Sequence, residues 1–311
     1  TYLGIDVLKL PFIRTTSLGH EVLHNWWGNG VYPDYARGNW SEGLTTFMAD
    51  YAYRERENEG AARAMRLEWL RDFASIPAGK DPALAAFTSR THGTTQIVGY
   101  HKAAMLFLML RDRIGGDAFD LGVRGFWREQ RFRTASWSDL RAAFEQASGE
   151  SLKLFFDQWL NRTGAPALRI EKATKAQASD GWRTEVTLAQ GAPAYQLRVP
   201  LVFRTPRGDE ARWVTFTGER QTFPVVLDLE PTAVLLDPDF RVFRRLASEE
   251  APPILRQVML DASTRTIVLA DGEAERVARE LAQRIQDHEP RYVTGEAAPP
   301  QSPLLVIGLA G

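Results

Sequence analysis

The stretch His20-Glu21-Val22-Leu23-His24, followed downstream by Trp40-Ser41-Glu42-Gly43, decides how the first half of this sequence is interpreted. Residues four apart lie on one face of a helix, so both imidazoles can bind one ion. Glu21, one step round the helix, then points to the open side of that ion. Glu42 supplies a carboxylate as the third protein ligand and leaves a fourth position for water. The spacing therefore predicts a Zn²⁺ site formed by His20, His24 and Glu42.

The sequence around the motif favours a metal site over a chance match. Two of the five histidines lie in the motif, and the absence of cysteine leaves no thiolate to compete for the metal. A second helical pattern begins at Glu42, and Asp34 and Asp50 are the alternative carboxylate ligands. The first helix is predicted to run until Gly28, a helix stop, because apolar residues recur at helical spacing. These residues are Leu18, Val22, Leu23, Trp26 and Trp27.

The same segments resemble those of the gluzincin metallopeptidases of the aminopeptidase N and leukotriene hydrolase family. The string from His20 to Asn29 and the triplet Ser41-Glu42-Gly43 carry this resemblance. Two later landmarks follow in the family's order, over about residues 12 to 245. They are Tyr100-His101-Lys102-Ala103-Ala104, similar to the family's Tyr-Glu-Lys-Gly helix, and Phe156-Asp157-Gln158-Trp159-Leu160 with Gly164 and Pro166, similar to the segment that closes its helical domain.

The resemblance implies zinc-dependent hydrolysis of a peptide bond, most simply by an aminopeptidase acting on a peptide substrate. Glu21 would be the general base that takes a proton from water and hands it to the leaving amine. Tyr100 would donate a hydrogen bond to the oxyanion of the tetrahedral intermediate. Two alternatives within enzymes remain open: an endopeptidase or epoxide-type hydrolase that uses the same metal, and a glycyl-aminopeptidase-like gluzincin. A third alternative is a non-catalytic scaffold that keeps the fold.

The sequence departs from the family pattern at four places. Seventeen residues separate His24 from Glu42, where the family usually has eighteen. His101 replaces an acidic residue and is expected to face solvent or a partner carboxylate, and Ala103 replaces a glycine. The family's Gly-x-Met-Glu-Asn segment, which holds the substrate's amine, is absent from these residues. His92 is a further histidine in a Gly-Thr-rich loop, expected to line the cleft and not to bind the metal.

Only nineteen residues precede the metal motif, and the first residue is Thr1. We therefore expect the chain to be a piece of a larger protein, whose missing upstream part is a partner of this one. Without that part, we expect little or no aminopeptidase activity. A correctly positioned substrate lowers the reaction barrier by roughly 7–11 kcal/mol, and a substrate that is not anchored loses this contribution. Any signal peptide would also lie upstream, so the compartment is undetermined.

The patterning predicts a multidomain α+β fold in three parts. Residues 1–165 carry helical periodicity and form the helical second half of a thermolysin-like catalytic domain. Residues 166–247 switch to alternation, with strands predicted at 183–188, 196–203 and 212–216, and form a β-sandwich. Residues 254–311 form a truncated α/β module, with strands near 266–270 and 304–308 flanking a helix over 273–286.

Composition narrows the classes of partner. The chain has 311 residues, 44% apolar and 25% charged, which is ordinary for a globular protein with several cores. A formal net charge of −1 argues against nucleic acid or an anionic membrane surface as a partner. The sequence has no apolar run near the roughly 20 residues of a membrane span.

Overall fold

In a computed structural model, the chain divides into two compact units. The described residues are 5–9, 13, 17–179, 181–247, 250, 255–294 and 302–308. The first unit comprises Thr1–Phe73 and Asp81–Leu246, and the second comprises Ala74–Lys80 and Ala247–Gly311. Among the described residues, no helix combines the length and the apolar character of a membrane span.

Helices are the main elements among the described residues before residue 162. They are α1 (Ile5–Leu8), α2 (Ser17–Leu23), α3 (Ser41–Thr45), α4 (Ala52–Glu57), α5 (Glu59–Ala74), α6 (Gly93–Gln96), α7 (Ala103–Ile114), α8 (Gly116–Gln130), α9 (Trp137–Ser148) and α10 (Lys153–Asn161). Two π-helical turns, Thr46–Tyr51 and Ile97–Lys102, join α3 to α4 and α6 to α7. A short parallel pair of strands, β1 (Tyr32–Pro33) and β2 (Thr134–Ala135), links the two halves of this region.

Helix α7 is the central element of this region. Every residue from Ala103 to Leu108 is buried, so the helix is surrounded by protein on all sides. It ends at Gly115, whose φ of 86° is a conformation that favours glycine. Helix α9 also has well-defined ends. There Ser136 and Asp139 form the capping box and Gly149 takes the left-handed conformation.

The helix that carries the metal motif is shorter than the apolar pattern predicts. It ends at Leu23, five residues before Gly28, so the predicted extension to Gly28 is wrong. Trp27 leaves the helix axis to enter the core, where it is 3% exposed and contacts Trp40 and Phe126. Tertiary packing of the indole has therefore overridden local helical periodicity.

Two three-stranded antiparallel sheets follow the helices. The first has the order β3 (Arg169–Ala178), β4 (Gly181–Ala189), β7 (Arg220–Leu227), and the second has the order β6 (Gly208–Phe216), β5 (Leu197–Thr205), β8 (Ala233–Leu236). Phe216 of one sheet and Phe223 of the other meet edge to face, with ring centroids 6.1 Å apart. Helices followed by strands confirm the mixed α and β class and the three predicted strands, which are β4, β5 and β6.

The second unit contains a parallel sheet with the order β10 (Arg291–Tyr292), β9 (Arg265–Leu269), β11 (Leu304–Gly308). Helix α11 (Leu255–Leu260) precedes this sheet in the chain, and α12 (Gly272–Ile285) connects β9 to β10. The predicted strand–helix–strand order is confirmed, with bounds within one residue. The glycine-rich end of the chain, beyond Gly308, lies outside the described residues.

Candidate metal centre

The structure brings the three predicted ligands together. His20 lies on α2, and His24 lies one residue beyond its end, where its amide N–H still donates to the His20 carbonyl at 3.2 Å. Glu42 lies in the first turn of α3. Its Oε2 is 3.4 Å from His20 Nε2 and 3.3 Å from His24 Nε2. Within the described part of the chain, these residues form the single cluster of three side chains suited to a metal.

The carboxylate oxygen lies at zinc-ligand spacing from both imidazole nitrogens, and all three donor atoms lie within 4.8 Å of one another. Zn–N and Zn–O bonds of about 2.0–2.2 Å in tetrahedral geometry separate neighbouring donor atoms by roughly 3.3–3.5 Å. The observed Nε2–Oε2 separations of 3.3 and 3.4 Å fall in that range. Asp34, one of the alternative ligands, lies outside the cluster, 3.4 Å from Arg37.

The far nitrogen of each imidazole is held by a second partner. His20 Nδ1 lies 2.7 Å from Asp50 Oδ2, and His24 Nδ1 lies 2.8 Å from the backbone carbonyl of Trp27. With a metal bound, such partners would keep the proton of the neutral imidazole on Nδ1 and leave the lone pair of Nε2 to bind the ion. Asp50, an alternative ligand from the sequence, thus orients His20 from behind. The backbone carbonyl of Trp27 could not be predicted as the partner of His24 Nδ1 from the sequence, because its position depends on where α2 ends.

Close packing between α3 and α7 fixes the position of Glu42. A Cβ added to Gly43 would lie 2.2 Å from the Cβ of Ala103, so no larger residue fits here without moving α3. The side-chain oxygen of Asn39 accepts hydrogen bonds from the Ser41 amide at 2.9 Å and the Ser41 hydroxyl at 2.7 Å. The start of α3, and with it Glu42, is thereby anchored to the core.

The two candidate catalytic groups lie beside the cluster. The ring of Tyr100 stacks on that of His20 at 6.1 Å with an interplanar angle of 15°. Burial raises the pKa of Tyr100, as do the charge of Glu42, a hydrogen bond with it, and the charge of Glu21. Glu21 is half-buried on α2, next to His20. The phenol and the Glu21 carboxylate therefore share the electrostatic environment of the cluster.

The side chains of the cluster shift one another's pKa values. Burial alone would lower the pKa of His20, but hydrogen bonds and charges from Asp50 and Glu42 outweigh it and raise the pKa to about 9. For His24, hydrogen bonds with Glu42 and the Trp27 carbonyl likewise outweigh burial and raise the pKa. Burial opposes ionisation of Glu42, yet its contacts with both histidines lower its pKa to about 2. The carboxylate is therefore ionised, as a ligand must be.

The two remaining histidines of the helical region serve other contacts. His92 is exposed at the start of α6, where its Nδ1 accepts from the Thr95 amide at 3.4 Å. His101 lies 3.3 Å from a carboxylate oxygen of Asp72 and stacks on Trp69 at 5.8 Å. The acidic neighbour expected for His101 is thus Asp72. Neither histidine belongs to the metal cluster.

Comparison with known proteins places the site in a family. Residues 14–159 match the model of the Peptidase family M1 domain. Bovine glutamyl aminopeptidase is 26% identical over 250 residues, which cover 75% of this chain and 25% of that protein. Alanine/arginine aminopeptidase of Saccharomyces cerevisiae is 26% identical over 191 residues, 55% of this chain and 22% of that protein. The chain therefore spans about a quarter of the length of these relatives.

A solved structure shares the fold. Legionella pneumophila aminopeptidase A, in a crystal structure with aspartic acid, aligns with a TM-score of 0.56 and 21% identity, over 77% of this chain and 27% of that one. The family match contains the whole cluster together with Glu21 and Tyr100. It confirms the resemblance that the motifs predicted. This part of the chain, from residue 14 to residue 159, is similar to peptidase family M1 domains.

Proposed function

We propose that this chain is part of a zinc-dependent aminopeptidase and carries its metal ligands, general base and oxyanion donor. One observation carries the proposal: two imidazole nitrogens and a carboxylate oxygen converge at zinc-ligand spacing, with both far nitrogens already held. The proposed architecture is the second half of a thermolysin-like domain over residues 1–165. A β-sandwich over 166–247 and an α/β module over 254–311 complete it.

The donor set favours zinc among the common metals. Two imidazoles with one carboxylate suit zinc, whereas Mg²⁺ and Ca²⁺ prefer a shell of oxygens. When bound, zinc acts as a Lewis acid that lowers the pKa of a coordinated water toward about 7 and polarises a carbonyl. A fourth, open position is consistent with the three protein ligands found.

Glu21 is the proposed general base. It neighbours His20 in sequence, and its charge acts on Tyr100 across the site. It is not one of the converging donor atoms, so its carboxylate can accept a proton from the attacking water. Returning that proton to the departing amine nitrogen completes cleavage of the C–N bond and regenerates the carboxylate.

Tyr100 is the proposed donor to the oxyanion. Its raised pKa keeps the phenol protonated at neutral pH, so the O–H is available to donate. Stacking on His20 and edge-to-face contact with Phe87 restrict the ring to one orientation. A donor fixed before the reaction stabilises developing charge without reorganisation, which is why such groups contribute strongly to rate.

The relatives support an exopeptidase over an endopeptidase. Their names describe glutamyl, alanine/arginine and type 2 aminopeptidases, which all act at a peptide N-terminus. The named side-chain preferences differ among these relatives, so we propose no preferred residue. The proposed substrate is a peptide with a free amino terminus.

The experiment is hydrolysis of aminoacyl-p-nitroanilides by the natural full-length protein after zinc loading. We expect turnover with free-amine substrates and none with their N-acetylated forms. Glu21→Gln in the same protein should lose turnover and retain zinc, which separates the base from the ligands. Equal rates on free and acetylated substrates would refute the aminopeptidase assignment. Equal turnover by the variant would refute the role of Glu21.

A further inference from the structure

A cavity of about 460 Å³ lies away from the metal centre, between the last turn of α7 and the sheet that contains β5 and β6. Asp112, on its wall, lies twelve residues after Tyr100, which stands in the π-helical turn that precedes α7, so the two are roughly 18 Å apart at about 1.5 Å per helical residue. The volume falls in the range of roughly 300–1,000 Å³ that is usual for small-molecule sites. No residue of the metal cluster lines this cavity.

Two of the three arginines in the cavity wall form ion pairs with acidic residues of the same wall, and the third does not. Arg241 donates from Nε at 2.8 Å and from Nη2 at 2.5 Å to the two oxygens of Asp112. Arg113 donates from Nε to Glu150 at 3.3 Å. Arg198 has no acidic partner within salt-bridge distance among the described residues. Three arginines and two acids give the wall a net charge of 3 − 2 = +1.

Arg198 is exposed and lacks an ion pair, but two backbone carbonyls and an indole ring contact its guanidinium. Its Nη1 donates to the backbone carbonyl of Asp112 and, at 3.4 Å, to that of Arg113. These carbonyls belong to the last turn of α7, where the helix dipole favours a cation. The guanidinium carbon lies 5.1 Å from the ring centroid of Trp213. Within the described part of the chain, Nε and Nη2 make no hydrogen bond, so one edge of a fixed fork remains available to a ligand.

Apolar side chains form the rest of the wall. Trp213 is 37% exposed, although it stands on a strand beside the cavity. Phe155 and Leu197 also line the cavity, and both side chains are buried. A ligand that fills this space would remove the exposed indole surface from water, which is favourable by about 25 cal/mol for each Å² of apolar area.

We propose that this cavity binds a small organic monocarboxylate with an aromatic or other apolar body. The carboxylate would accept hydrogen bonds from the free edge of Arg198, and the apolar body would lie against Trp213. A guanidinium fork matches the two oxygens of a carboxylate. One negative charge balances the wall, whereas a dianion such as phosphate would place excess charge beside Asp112 and Glu150. The site is independent of the proposed peptidase activity.

The probe is 3-phenylpropionate, titrated into the purified chain and followed by ligand-observed NMR and calorimetry. Its two matched comparisons are phenethylamine, which has the same ring with a cation, and inorganic phosphate, which has the charge without the ring. We expect saturable binding of 3-phenylpropionate and none of the other two. Binding of phenethylamine as tight as that of the carboxylate, or no binding of the carboxylate, would overturn the proposal.

Variants locate the site. Arg198→Met should weaken binding about 10- to 100-fold, because the loss of hydrogen bonds to a charged group typically lowers affinity by about that factor. Arg212→Met, on the same sheet and paired with Glu210 at 2.8 Å, removes the same charge elsewhere and should leave binding unchanged. Because Arg198 also caps α7, Arg198→Lys serves as a folded companion that keeps a cation but loses the fork. Unchanged affinity in both Arg198 variants would overturn the assignment.

Discussion

Asp50→Asn should weaken zinc binding, although Asp50 is not one of the proposed ligands. The carboxylate lies 2.7 Å from His20 Nδ1, and the side chains are 20% and 11% exposed, so the contact is largely shielded from water. Asparagine retains an oxygen that can accept the Nδ1 proton but removes the negative charge that polarises the imidazole. Loss of such an outer partner typically reduces metal affinity about 10- to 100-fold. The expected change in binding free energy is therefore about 1.4–2.8 kcal/mol.

The assay is competition for zinc with a chromophoric chelator at one fixed pH. Asp72→Asn is the matched control, because Asp72 also lies beside a histidine, His101 at 3.3 Å, yet outside the cluster. We expect the control to bind zinc as tightly as the unaltered chain, with the thermal midpoints of both variants recorded to exclude unfolding. A zinc affinity of Asp50→Asn within twofold of the unaltered chain would refute the reasoning. So would an equal loss in the control.

Three further predictions concern other residues. Glu21→Gln should abolish turnover of the full-length protein while zinc content, measured by elemental analysis, stays near one per chain, because the base contacts water. Tyr100→Phe should lower kcat about 10²- to 10³-fold with little change in KM, the mark of a contact made in the transition state; an unchanged kcat in steady-state kinetics would contradict this. Burial lowers the pKa of Lys102 to about 8 from its ordinary 10.5. Between those two pH values the unfolded state therefore binds more protons than the folded state, and the free energy of unfolding rises with pH. Urea denaturation across this window should show the rise, about 2–4 kcal/mol in total, in the unaltered chain and not in Lys102→Met.

The cluster was predictable because its spacing is local. His20 and His24 are one helical turn apart, and the backbone hydrogen bond between them persists even though α2 ends at Leu23. Glu42 required only that a second helix begin near the first. The role of Asp50 was less accessible, since an acidic residue eight positions after Glu42 can be a ligand or a partner of one. Only the folded arrangement of α2 against the π-helical turn, with Asp50 at Nδ1, distinguishes the two.

Strand β5 was predicted because buried apolar residues recur along it, whereas the exposed strand β3 was missed. In β5, Leu197, Val199, Leu201 and Phe203 are buried, so the alternation is visible in the sequence. Strand β3 is exposed along most of its length, and its residues therefore carry no apolar period. The π-helical turns also left no trace in the apolar pattern, because they insert single residues into helices that remain continuous. Features that depend on tertiary contacts could thus not be predicted from the sequence.

The most direct test of the metal centre is a crystal structure of the zinc-loaded chain with anomalous data collected at the zinc edge. We predict one strong peak bonded to His20 Nε2, His24 Nε2 and a Glu42 carboxylate oxygen, each at about 2.0–2.2 Å. Asp50 should remain on His20 Nδ1. A peak that has Asp34 or Asp50 in place of Glu42, or one located away from these three side chains, would contradict the proposed site.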